Sequence, residues 1–162
     1  MTQTSPGRCL VHATAVALDG RAILLLGPSG SGKSDLALRL IDKGAILVCD
    51  DYCDIVDGVD GPQVVAKASI AGKIEIRGVG IVATPHIARA QIAMALHLDT
   101  LPDRMPQTNQ NSNIVGWSIP SFAIAAFEAS APLKAIALLR LVVDARRHPV
   151  RLETPSYNRG DT

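Results

Sequence analysis

Gly27-Pro28-Ser29-Gly30-Ser31-Gly32-Lys33-Ser34 is the stretch on which the fold turns. It satisfies G-x-x-x-x-G-K-[ST] and lies between an aliphatic run, Ala22 to Leu26, and a segment of helical periodicity, the context this phosphate-binding pattern demands. Glycines let the backbone turn so that successive amide hydrogens converge on phosphate oxygens. The positive end of the following helix adds field of the same sign. Lys33 can reach the β and γ phosphates of a nucleotide, and the Ser34 hydroxyl is placed to coordinate magnesium. The plain alternative, a glycine-rich turn that caps a helix, is disfavoured because motif, strand and helix agree on one geometry. Gly27, Pro28, Ser29, Gly30, Ser31, Gly32, Lys33 and Ser34 are thus the candidate nucleotide-binding residues, with ATP and Mg2+ as the expected ligands.

Working outward, Ala13 to Leu18 and Ala22 to Leu26 flank Asp19-Gly20-Arg21, which predicts a hairpin whose second strand feeds the loop. Leu36, Leu38, Leu40 and Ile41 lie among charged residues and Gly44 supplies a stop, so a helix follows the loop. Ile46 to Cys49 is a short strand ending at Asp50-Asp51, and turns at Asp57-Gly58 and Asp60-Gly61-Pro62 precede a strand at Gln63 to Lys67. Ile74-Glu75-Ile76-Arg77 alternates, placing the isoleucines on one face and the two charges on the other. Further on, a helix is expected at Ile87 to Ala93, a strand at Met94 to Leu98, a mobile polar loop at Pro102 to Asn113 and apolar structure at Ile114 to Ile119. Leu133, Ile136, Ala137, Leu139, Leu141, Val142 and Val143 predict a terminal helix from Pro132 to Arg147 with wide apolar coverage, Arg140 and Asp144 pairing one turn apart. The expected organisation is one α/β domain over residues 1–147 and a frayed tail from His148 to Thr162.

The 162 residues suit a single core, and 48% hydrophobic content is that of a folded globular chain. With a formal net charge of +1, the whole-protein field offers no broad attraction for nucleic acid or an anionic membrane, so anions must be bound locally. Met1 to Arg8 has no apolar export signal, and Lys134 and Arg140 interrupt the best candidate for a membrane helix. A cytoplasmic location is expected. Cys9, Cys49 and Cys53 are odd in number and form no C-x-x-C pair, so reduced, mostly buried thiols are expected.

Asp50 and Asp51 follow the strand after the phosphate-loop helix, which puts them at the same carboxyl-end edge of the sheet as the loop. One carboxylate could help hold magnesium while the other accepts a proton from an attacking hydroxyl; a solvated turn is the alternative. Glu75 is a further metal candidate and Arg77 a phosphate partner, against a surface cross-pair. His12 lacks metal-ligand spacing and on sequence alone reads as a structural histidine. His86, His97 and His148 belong to no constellation.

Taken in order, His12-Ala13-Thr14, the phosphate loop, Val48-Cys49-Asp50-Asp51 and Glu75-Ile76-Arg77-Gly78-Val79-Gly80 resemble the HPr kinase/phosphorylase family, the last segment most specifically. The resemblance is dense from His12 to Gly80 and thin from there to Val143, and the amino-terminal domain of longer members has no counterpart. It implies a mixed sheet of the phosphoenolpyruvate carboxykinase-like nucleotide-binding fold, homo-oligomers that are commonly hexamers, and an HPr-like phosphocarrier as the partner phosphorylated on serine. It also implies Asp51 as the base, Lys33 and His12 at the phosphates, and Ser34 and Glu75 on magnesium, beside the candidate ligand Asp50. Arg77 and the Arg104 of Asp103-Arg104-Met105 would stabilise phosphoryl charge.

The chain departs from the family in one place. Longer relatives carry a proline-flanked, arginine-containing loop tied to removal of phosphate from HPr, where this chain reads Ile119-Pro120-Ser121-Phe122-Ala123-Ile124-Ala125-Ala126-Phe127-Glu128-Ala129. Kinase activity is therefore better supported than phosphorolysis. Two other readings stand beside it: an ATP-sensing regulatory module that transfers no phosphate, and a small-metabolite kinase.

Overall fold

The computed structural model describes residues 3–5, 7–106 and 110–153. A mixed sheet dominates the fold, with two helices on one face. The expected hairpin is present as β3 (Thr14–Leu18) and β4 (Arg21–Leu26), paired antiparallel about Asp19 and Gly20. Both turn residues take positive φ, 51° and 76°, the geometry for which a D-G turn is suited. Strand β1 is Gln3–Ser5, β2 Arg8–His12, β5 Ile46–Cys49, β6 Tyr52–Gly58 and β7 Gly61–Val65. A detached hairpin of β8 (Lys73–Ile76) and β9 (Gly80–Ala83) carries the alternating segment. Strand β10 is Arg89–His97, β11 Asn111–Ile114, β12 Trp117–Ala123 and β13 Val150–Arg151.

Strand β10 organises the sheet. It pairs in parallel with β4 and with β12, so Leu26, His97 and Ala123 finish side by side at one edge. Strand β5 is antiparallel to β3, which is antiparallel to β4, so Cys49 and the two aspartates emerge at that same edge. Helix α1 (Lys33–Asp42) leaves from it and packs Leu36, Ala37 and Leu40 against Val16, Ile23 and Leu25. Helix α2 (Ala131–Asp144) closes the same core with Ala135, Leu139 and Val142. The opposite sheet face buries a second cluster around Leu24, Ile55, Ile92 and Trp117.

Several expectations are corrected. Ile87 to Ala93 is not helical: Arg89 and Gln91 are exposed while Ala90 and Ile92 are buried, the period of two that makes this the first half of β10. The polar loop expected at Pro102 to Asn113 ends earlier, because Asn111–Asn113 pair with Ser118–Pro120 of β12; residues 107–109 lie outside the described part. The tail contributes β13, with Val150 and Arg151 paired to Ser118 and Trp117, and residues 154–162 lie outside the described part. Helix α2 has a narrower apolar contact than expected, since Leu133 and Leu141 are exposed, and no ion pair joins Arg140 to Asp144 among the described residues. The cysteines are not all thiols: Cys49 and Cys53 form a disulfide with Cα atoms 5.9 Å apart, and Cys9 is free. No helix among the described residues is long and apolar enough to cross a membrane.

Candidate active site

The glycine-rich loop leaves β4 and enters α1 at Gly32, whose φ of 97° only glycine adopts without strain. Lys33 is only 6% exposed, and its ammonium donates to the carbonyls of Gly27 at 2.7 Å and Pro28 at 3.1 Å. A buried charge must be met by such partners, and these hold the side chain folded over the loop.

Between β5 and β6 the chain kinks sharply but keeps its direction, both strands running antiparallel to the β2–β3 stretch. The Tyr52 amide donates to the Asp50 carbonyl at 2.8 Å around Asp51 at φ 67°, a γ-turn, and the Cys49–Cys53 disulfide brackets it. This turn resolves how adjacent aspartates serve one site. Asp50 points inward and is buried; its Oδ1 accepts from Ser34 Oγ at 2.7 Å and Thr14 Oγ1 at 3.0 Å, and its Oδ2 from the Glu75 amide at 3.0 Å. Asp51 points outward, its Oδ1 2.6 Å from His12 Nε2, and the His12 ring stacks on Tyr52 at 5.2 Å between centroids. A non-glycine residue at such a φ costs of order 1–3 kcal/mol and is characteristic of functional positions, aspartate and asparagine being the side chains that best tolerate it.

Thr14, to which the sequence assigns no role, ties the two acids together. Fully buried, its hydroxyl donates to Asp50 and accepts from the Asp51 amide at 3.1 Å. The signal available was a hydroxyl heading an otherwise apolar strand, Thr14-Ala15-Val16-Ala17-Leu18, since a buried hydroxyl needs a partner.

These parts meet in a cleft of about 250 Å3 lined by Ser29, Gly30, Gly32, Lys33, Ser34, Asp35, Asp50, Asp51, Glu75, Ile76, Arg77 and Phe127. The strand β8 behaves as its alternation predicts: Ile74 is buried and Glu75 exposed. An Arg77 guanidinium nitrogen reaches within 3.6 Å of where a side chain on Gly30 would begin. His12 joins through Asp51. Arg104 does not join: it lines a separate cavity of about 690 Å3 with His97, Phe122 and Leu138. That cavity's rim includes Asn111, to which Arg147 donates at 2.8 Å; partial burial lowers the Arg147 pKa.

The cleft's donors suit magnesium. Ser34, Asp50 and Glu75 offer only oxygen, the preference of a hard divalent cation. No cluster of three or more His, Cys, Asp or Glu side chains that could hold a metal is found among the described residues.

The family model for the HPr Serine kinase C-terminal domain matches residues 4–145. The chain is 32% identical over 127 residues to the HPr kinase/phosphorylase of Clostridium beijerinckii, covering 70% of this chain and 42% of that protein. It is 29% identical over 161 residues to the HPr kinase/phosphorylase of Lactiplantibacillus plantarum, covering 91% and 49%. The chain thus spans about half the length of the curated relatives it matches. Among solved structures, the Hpr(Ser) kinase/phosphatase from Coxiella burnetii superposes with a TM-score of 0.69 at 23% identity, over 85% of this chain and 96% of that one, a likeness of fold.

Proposed function

Since the chain belongs to the HPr Serine kinase C-terminal domain family, we propose that it is an ATP-dependent protein-serine kinase acting on an HPr-like phosphocarrier. The observation that carries this reading is the arrangement of Asp51 and Lys33 in one cleft, the carboxylate turned outward by the γ-turn and the ammonium folded over the loop. The loop from Gly27 to Ser34, as a phosphate loop in a fold like that of phosphoenolpyruvate carboxykinase, binds the triphosphate through its amides. The Asp51 carboxylate takes the proton of the substrate serine as its oxygen attacks the γ phosphorus and the bond to the β-phosphate oxygen breaks, leaving ADP. His12 orients Asp51 and, with Lys33 and Arg77, meets the phosphoryl charge. Ser34, Asp50 and Glu75 would hold magnesium, which when bound would neutralise charge on the phosphate oxygens. For Arg104, which lines the other cavity, a catalytic part rests on the Asp103-Arg104-Met105 resemblance alone.

The rest of the reading is coarser. A single catalytic domain over residues 1–147, regulation of sugar phosphotransfer, a cytoplasmic location, and a homo-oligomer joined partly through exposed Leu133 and Leu141 complete the proposal. Incubation with ATP, magnesium and HPr, with and without inorganic phosphate, tests it by mass spectrometry. Phosphoserine on HPr, not removed when phosphate is added, is the expected result; no phosphoserine would reject the kinase. A non-catalytic ATP-sensing module is the second reading, favoured by one observation: the segment that carries arginines in longer relatives here sends Ile119, Phe122, Ile124 and Ala126 into the core. ATP-dependent capture of HPr without phosphoserine would select it.

A further inference from the structure

Phe127 is 72% exposed, although the chain has only two phenylalanines and the other, Phe122, is buried. Exposure alone is commonplace, but a phenyl ring held at a cleft rim leaves its face free to bury against a flat ligand in that cleft. Its position is defined rather than loose. The ring edge lies against the phosphate-loop residue Gly32, where a side chain's first carbon would stand 3.0 Å from Cζ and 3.1 Å from Cε1. The turn that bears it, between β12 and α2, is pinned on both sides: Arg39 of α1 donates to the carbonyls of Ala126 and Glu128, and Lys134 pairs with Glu128 at 2.6 Å. Ala126, next to Phe127, is buried. A side chain with two rotatable bonds, fixed at its base and open over most of its ring, is a surface for a flat ligand.

We propose that Phe127 is the stacking platform for the base of the bound nucleotide, and so a residue that sets specificity for nucleoside triphosphate over bare polyphosphate. This rests on the phosphate-loop reading above. Loop amides and Lys33 can hold phosphate oxygens but have no means of gripping a heterocycle, and among the described residues Phe127 is the one aromatic ring lining that cleft. Any nucleobase has a π face, so the contact is tolerant of base identity and rewards its presence.

The test compares two probes, ATP and inorganic tripolyphosphate, each with magnesium, by calorimetry on the full chain and its variants. Phe127→Ala is expected to weaken ATP binding roughly 5- to 100-fold while tripolyphosphate binding stays within about twofold. Phe127→Trp is expected to retain ATP affinity and to show fluorescence quenched by ATP and not by tripolyphosphate. Equal weakening of both probes by Phe127→Ala would overturn the proposal, because the ring would then only shape Gly32 and the loop. Unchanged ATP affinity would overturn it too, and would leave the ring to a protein contact. If the wild type binds tripolyphosphate and only the platform result fails, the phosphate loop survives; if it binds neither probe, both fall.

Discussion

The two hollows on the carboxyl edge of the sheet rank oppositely by size and by chemistry. The larger, about 690 Å3, is walled by Phe122, Ile124, Leu138 and Leu141, and the polar contacts on its lining include His97 to Ser112 at 2.9 Å and the exposed Lys134–Glu128 pair at 2.6 Å. The smaller, about 250 Å3, gathers a buried ammonium, a buried carboxylate with three neutral donors, a second carboxylate on a left-handed residue and an exposed aromatic ring. Volume marks where side chains fail to fill space between β10, β12 and α2. Function is better indicated where groups that are costly to bury converge, because only a compensating role keeps them together.

The contrast can be broken at several points. Asp51→Asn keeps a residue that tolerates the left-handed backbone and removes the proton acceptor, so phosphoserine formation is expected to fall about 100- to 10,000-fold, with ATP affinity nearly unchanged by calorimetry. Retained turnover would deprive the smaller hollow of its base. Lys33→Met should weaken triphosphate binding roughly 10- to 100-fold, the range of charge-assisted hydrogen bonds; a variant that binds normally would remove the anion site from that hollow. Arg77→Ala should lower transfer about 10- to 100-fold and Arg104→Ala about threefold or less, since only Arg77 shares the cleft with Asp51. Equal losses would merge the two hollows into one working site. Thr14→Val leaves Asp50 short of a donor and should cost about 1–3 kcal/mol in chemical denaturation, more than the roughly 0.5–1.5 kcal/mol expected for Ser112→Ala beside His97. Mass spectrometry after alkylation without reduction should place a label on Cys9 alone, a check on the bracket around the acidic turn.

What could be read from the chain follows how local its causes are. The loop, α1 and β5 are legible because glycines, a lysine, helical spacing and a short aliphatic run act within a few residues. The amino half of β10 is not, since Ile87 to Ala93 is too short for its period to separate helix from strand; pairing with β7 and β4 decides it. Polar Asn111–Asn113 becomes a strand only because β12 lies beside it. At the site, Lys33 and Ser34 are nameable from the motif, both aspartates from edge position, and Glu75 and Arg77 from alternation. That Asp50 and Asp51 face opposite ways follows from strand alternation, but the γ-turn and the tie through Thr14, 36 residues away from Asp50 in the chain, are not legible. Phe127 stayed hidden for the same reason, its partner Gly32 being contributed by a distant segment.

Leu26, His97 and Ala123 end abreast because parallel pairing with β10 locks their relative heights. That edge behaves as a fixed mount carrying interchangeable attachments. Replacing or lengthening the segments after His97 and Ala123 would retune which molecules are selected while the proposed anchorage for the anion stays where β4 leaves it, so divergence among descendants of such a protein should collect in those two stretches.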